Sequence, residues 1–197
     1  MSFLRKIGKN AWAYALYAAV VFLVYGWAFR YLGQTPREAK LILFLASYSK
    51  SYDGEETLEA AKPEGIEELE IHAYPVDHSS YWQVFNTYGL EISDLLVLPE
   101  SEVSEELCSQ YFSSIALDVF QDIPNLGRYS FDGSIYGVKI HDKETGESLL
   151  PGLDYGSGEK EEDSYLFFHE DSPHNGGLDG KSEEGASLRF VKEALSA

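Results

Sequence analysis

His169, Glu170, Asp171 and His174 form a cluster of metal-capable side chains in this 197-residue sequence. Imidazoles and carboxylates can ligate a divalent ion. The spacing matches neither an HExxH helix nor an EF-hand loop, and Pro173 interrupts it, so no metal site is expected. His72, His78 and His141 are scattered and read as surface or capped positions. Ser, His and Asp occur without a GxSxG elbow. Glu55-Glu56 and Glu161-Glu162 read as solvated faces, not as paired acids of an active site. Gly176-Gly177 and Gly180 follow no strand–turn–helix pattern and make no phosphate cradle. Cys108 is the single cysteine and reads as a buried thiol on a helix stripe, which excludes an internal disulfide framework. No catalytic residue and no cofactor are expected, and the chain reads as non-enzymatic.

A second set of side chains suits binding. Tyr48, Ser49, Tyr52, Tyr81, Trp82, Glu100 and Ser101 combine aromatic faces, hydroxyls and a carboxylate. Stacking plus a few hydrogen bonds is how a sugar or another polar solute is held. For Tyr81 a core position is the plainer reading, because it sits on a helix stripe. The loop tyrosines can equally be ordinary surface. What unites the set is the elements that would carry it.

Leu41–Ala46, Ile66–Ala73 and Leu95–Leu98 read as strands, the first and third as continuous apolar runs suited to burial on both faces. Between the first two, Asp53 and Glu56 form a capping-box pattern for a short helix ending near Ala61. Tyr81, Val84, Phe85 and Tyr88 fall at helical spacing, with Gly89 as the stop. Ser101 or Ser104 caps a helix with the stripe Leu107, Cys108, Tyr111, Phe112 and Ile115. This β-α-β-α-β-α order predicts a largely parallel sheet in a three-layer α/β domain. Ligands of such sheets gather beyond the C-terminal strand ends, where Ser47-Tyr48-Ser49, Tyr74-Pro75 and Glu100-Ser101 lie. A hairpin over Tyr129–Ile140 turns at Asp132-Gly133. Lys143–Gly158 reads as loop, Glu159–Asp163 as a solvated connection, Tyr165–Phe168 as a strand, and a last helix starts at Ser182 with Leu188, Val191 and Leu195 on one face.

All of this follows Ala11–Phe29, a run without charge and of the length that crosses a hydrocarbon core roughly 30 Å thick. The chain divides into a basic tail at 1–10, a transmembrane helix at 11–32, a linker at 33–40 and an α/β domain at 41–197. Arg5, Lys6 and Lys9 precede the run, and Arg30, Arg37 and Lys40 follow it. The expected topology is single-pass, with the N terminus cytoplasmic and the domain extracytoplasmic. A cleaved signal peptide is the alternative, with Gly26-Trp27-Ala28 offering small residues at the cleavage positions. From Leu41 onward there are 9 Lys/Arg and 32 Asp/Glu, a net of −23 (9 − 32). Such a field repels nucleic acid and anionic headgroups and keeps an exported domain soluble.

Several stretches resemble extracytoplasmic solute-binding proteins of the type II periplasmic-binding class. LILFLASYS resembles the family's first strand, GIEELEIHAYP the second and SDLLVLPES the third. DGSIYGVKI resembles the segment before the chain crosses to the second lobe. YLFFHEDSPH and EEGASLRFVKEAL resemble the late strand and the helix that follows. The chain has room for about one lobe, where the family has two. The resemblance implies a one-lobe, membrane-anchored relative at a bacterial surface, binding a polar solute or serving beside a transporter. The other reading is an interaction subunit of a membrane complex whose lobe no longer binds a ligand.

Overall fold

Between Ala11 and Phe29 no residue is acidic or basic, so nothing gives that stretch a polar face. In the computed structural model it belongs to a 22-residue helix, α1 (Ala11–Leu32). At 1.5 Å per residue this spans about 33 Å. Ala11–Phe29 is long and apolar enough to cross a membrane. Side chains all around the helix, from Trp12 through Tyr17 and Phe22 to Trp27, are exposed, which suits a lipid surrounding. The structure describes residues 11–49, 52–123, 126–150 and 152–196, so the basic tail lies outside it. Residues through Pro36 form one unit and Arg37–Ala197 a second.

The second unit is built on one seven-stranded sheet, of order β2-β1-β3-β7-β5-β4, with the short β6 beside β5. Its strands are β1 (Lys40–Ser47), β2 (Glu68–Pro75), β3 (Leu95–Pro99), β4 (Arg128–Phe131), β5 (Ser134–Asp142), β6 (Glu147–Ser148) and β7 (Ser164–Phe168). β1 pairs in parallel with β2 and with β3. From β7 onward the sheet is antiparallel, so it is mixed, and the β4–β5 hairpin joins it through β7. The hairpin turns at Asp132 and Gly133, both with positive φ (48° and 76°), which matches the twist of the flanking strands.

Alternation along the central strands divides the core into two layers. Leu41, Leu43, Leu45, Leu95, Val97, Leu166 and Phe168 face one side and pack with Leu58 of α2 (Glu55–Ala60) and with Leu188, Phe190 and Val191 of α5 (Ala186–Ala194). Phe44, Ala46, Leu96, Leu98, Tyr165 and Phe167 face the other. They meet Tyr81 of α3 (Tyr81–Val84), Phe85, and Leu107 and Cys108 of α4 (Glu105–Tyr111). The result is an α/β/α sandwich.

Local details differ from the sequence reading for identifiable reasons. Gly54, not Asp53, sits at the start of α2, and no side chain caps it. Gly89 does not stop the helix. The chain continues as a π-helical turn, Phe85–Leu90, and a Cβ at Gly89 would lie 2.7 Å from the Phe85 ring. Gly89 is thus there to let that ring pack. Ser104 is the cap of α4, accepting from Leu107 N–H. That helix ends at Tyr111, and Ile115 instead bridges to Ile135. Gly185, not Ser182, precedes α5.

Candidate functional site

The chain leaves β1 toward β2 and then returns past β1 to β3. Connections from the two adjacent strands therefore run in opposite directions, and their C-terminal ends flank the place where open α/β sheets bind ligands. β7 runs antiparallel to β3, so its entrance lies at the same edge. Three segments meet there: Ser47-Tyr48-Ser49, the 3-10 turn Glu100–Glu102, and Glu161-Glu162-Asp163.

Their polar groups converge on one carboxylate. Ser101 donates to Glu162 through its backbone N–H (2.8 Å, to Oε2) and its hydroxyl (2.8 Å, to Oε1). The Tyr48 hydroxyl adds a longer bond to Oε1, at 3.3 Å. Burial, reinforced by the Glu162 charge, pushes the Tyr48 phenol up to about 12. Glu102 stands beside this group with one oxygen buried and without a partner among the described residues. Burial, with the charge of Glu162 added, raises its carboxyl above the ordinary range.

The segment that brings Glu162 in is a strap. It crosses the strand ends from Gly152, whose carbonyl accepts from Asp53 N–H, to Asp163, whose carbonyl accepts from Glu100 N–H (2.8 Å). Tyr48 N–H donates to Asp154 O at 2.9 Å on the way. Gly156, at φ 85°, lies against the Tyr48 ring, and Lys160 Nζ stands 5.8 Å from the centre of that ring while pairing with Asp77 at 3.0 Å. Asp163 is tied to Lys139 Nζ at 2.5 Å and to Lys143 N–H. Burial alone would raise its pKa, but these bonds together hold it low. The strap is anchored in the core layer that also holds Leu58 and Leu188. Leu150 and Leu153 are buried, and Tyr155 stacks on His141 with ring centres 4.2 Å apart.

Of the residues expected to bind a ligand, Tyr48, Glu100 and Ser101 come together at the strand ends. Ser49 is next to them, in a tight turn with the Ser47 hydroxyl. Tyr81 is core, 2% exposed and stacked on Phe85. Trp82 is exposed and edges against Tyr81 and Phe85. Tyr52 lies along the β2 edge, in a groove with Tyr74 and Tyr88. Glu162, read from the sequence as part of a solvated acidic pair, instead accepts the bonds of Ser101 and Tyr48, and nothing in the sequence points to Lys160 or Gly156. Only the long spacing between the β5 and β7 segments hinted that residues 143–163 must travel across the domain.

The acid-and-histidine group does other work. His169 Nδ1 accepts from Asp171 N–H, which leaves Nε2–H to donate to Leu90 O at 2.9 Å. His174 Nε2 lies 2.8 Å from Lys40 O. Both rings are buried and hold loops together. Among the described residues no group of three or more metal-capable side chains is placed to share an ion.

Three open grooves are lined by none of Tyr48, Ser101 and Glu162, though one of them reaches the end of β2 at Tyr74. One, of about 480 Å³, includes Ser109, Ser113, Tyr136 and Asn175. Another, of about 380 Å³, follows the β2 edge, and a third, of about 280 Å³, includes Lys139 and Thr145. No family model, no curated protein and no solved structure matches the chain.

Proposed function

We propose that the chain is a membrane-tethered, non-enzymatic interaction module, with α1 as an uncleaved single-pass anchor and the α/β domain on the extracytoplasmic side. In this reading the domain is a solute-binding-like lobe that no longer captures solute and works by touching a membrane partner. The observation that carries it is Glu162. The strand-end site, which a ligand would need, has its Ser101 and Tyr48 donors engaged by the chain's own carboxylate beneath the strap. Three open grooves are lined by residues other than Tyr48, Ser101 and Glu162.

A second reading, solute capture beside a transporter, draws on the same contacts. Two hydroxyls and one N–H aimed at a carboxylate would also receive the carboxylate of a solute if the strap lifted. The two readings separate in one thermal-shift experiment on the full-length protein in detergent. Wild type and Glu162→Gln are screened against sugars, amino acids and dicarboxylates. A solute at 100 times its dissociation constant would stabilise by about 2.7 kcal/mol. The interaction module predicts no shift in wild type, together with a partner that co-purifies in stoichiometric amount from the native membrane. A clear shift for one solute class in wild type would replace this reading with solute capture.

A further inference from the structure

β2 is an edge. It pairs with β1 over eight positions, from Lys40↔Glu68 to Ser47↔Pro75, and among the described residues no strand pairs with its other side. Such a strand turns the N–H and C=O of alternate residues away from its partner; because Val76 N–H donates to Ser47 O on the β1 side, the outward ones are those of Leu69, Ile71 and Ala73, about 13 Å of edge. The layers above and below overhang this edge. Tyr52 and Glu55 come from one side and Val84 and Tyr88 from the other. With Ile71, His72, Ala73 and Tyr74 they enclose the groove of about 380 Å³. Tyr88 is steadied against the His72 ring, with centres 4.5 Å apart. The Tyr52 hydroxyl is buried and has no hydrogen-bond partner among the described residues. A slot with a strand edge for its floor, aromatic walls and an unused hydroxyl has the dimensions and chemistry of a place for one more strand.

Charge selects the occupant. Residues 53–77, which supply α2, β2 and their connections, contain nine Asp/Glu and one Lys, a net of −8 (1 − 9). A second copy of the chain paired edge to edge would bring Glu68 and Glu70 of both copies, and both acidic α2 helices, against one another. Like charges across a strand pair are destabilising. A cationic strand meets no such penalty.

We propose that the free edge of β2 is a docking site for an extended, basic segment of a partner protein, which joins the sheet as an added strand. Its backbone bonds to the open edge, alternate apolar side chains lie between Tyr52 and Tyr88, and Lys or Arg side chains meet Glu55 and the acidic rim. The inference rests on the interaction-module reading and names the chemistry of its partner.

The test uses the full-length protein in nonionic detergent and a fluorescent octapeptide of alternating Lys and Val. Its counterpart of alternating Glu and Val, and the Lys–Val peptide with every amide N-methylated, serve as controls. The expected result is saturable binding about tenfold tighter for Lys–Val than for Glu–Val, weakening with salt, with slowed amide exchange within Glu68–Pro75. Glu55→Lys lowers the affinity several-fold, while Leu117→Ala, exposed and outside the groove, leaves it unchanged. Equal binding by the N-methylated peptide, or exchange over Glu68–Pro75 that does not respond, overturns the proposal. So does protection of β2 that grows with protein concentration without peptide, which would mark self-pairing. A stoichiometric native partner whose cross-links avoid β2 and Tyr52 would overturn the edge site and leave the interaction-module reading standing.

Discussion

Asp94 is completely buried, and its carboxylate is fully engaged. Arg37 grips it with two nitrogens (2.7 and 2.9 Å), Ile42 N–H donates at 2.8 Å and the Ser172 hydroxyl at 2.5 Å. Arg37 also donates to the Lys40 and Ile92 carbonyls, so the first residue of the domain is clasped to the strand β1 that it precedes. Breaking a buried ion pair costs more than the pair contributes, because the donors are left without a charge to meet. Asp94→Asn keeps the shape but sets an amide N–H₂ among donors. The expected cost is about 3 kcal/mol, at the lower end for buried pairs because Arg37 keeps some access to water. In a chain of this size that lowers Tm on the order of 10 °C. Ser172→Ala removes one bond to a charged group and costs about 1.5 kcal/mol. Thermal unfolding of both variants in detergent checks the gradation, and equal small losses would show that the clasp contributes little. Nothing in the spacing of Arg37 and Asp94 announces this pair. The partners lie 57 positions apart, and only the β1–β3 register brings them together.

At the scale of elements the strap depends on Gly156. At φ 85° a Cβ is strained, and it would lie 2.9 Å from both the Lys160 carbonyl and the Tyr48 ring. Gly156→Ala is expected to cost about 1–2 kcal/mol and to lift the strap without unfolding the sheet. Cleavage by a glutamyl endopeptidase within Glu159–Glu162 should then quicken about 5- to 30-fold at unchanged near-UV circular dichroism. An unchanged rate would mean that the strap is not held by this contact. The strap also marks where sequence reading reached its limit. Leu41–Ala46 and Leu95–Leu98 are legible as central strands because burial on both faces makes them apolar throughout. The hairpin is legible from Asp132-Gly133. Tyr48 and Ser101 could be matched because each follows one of two strands expected to be parallel. In Glu159–Asp163, by contrast, a local run of charges resembles a solvated connection. Its partners, Asp77, Ser101 and Lys139, are supplied by distant elements. Tyr81 and Trp82 show the converse. They lie near a strand end in sequence, yet the turn of α3 sends one ring into the core and leaves the other exposed.

For the molecule as a whole, charge is the dominant global variable. A domain carrying a net of −23 from Leu41 onward repels itself at neutral pH, and mild acid relieves the repulsion. Glu102 adds to the same trend. Burial, with Glu162 nearby, raises its pKa in the fold. The folded chain therefore holds that proton more tightly than the unfolded chain, and stability grows as pH falls from neutral toward the unfolded value of about 4.5. Glu70 and Asp163 act oppositely. Burial opposes their ionisation, but the bonds from Lys40 and His72 to Glu70, and from Lys139 and Lys143 N–H to Asp163, outweigh it and hold both pKa values low. The stability they contribute is present above the unfolded carboxylate range and is lost as pH drops through their folded values. At the alkaline end burial pushes Tyr48 and Tyr52 up to about 12, so their contribution fades as pH rises from about 10 to about 12. These signs together place the Tm maximum of the full-length protein at about pH 5–6, on the acid side of neutrality, with a fall below about pH 4. Added salt should raise Tm at about pH 7.5, where repulsion is strong, and do little near the maximum. Near-UV circular dichroism melts across pH and salt measure this directly. A maximum at pH 8, or a salt effect independent of pH, would mean that the domain's net charge does not govern its stability.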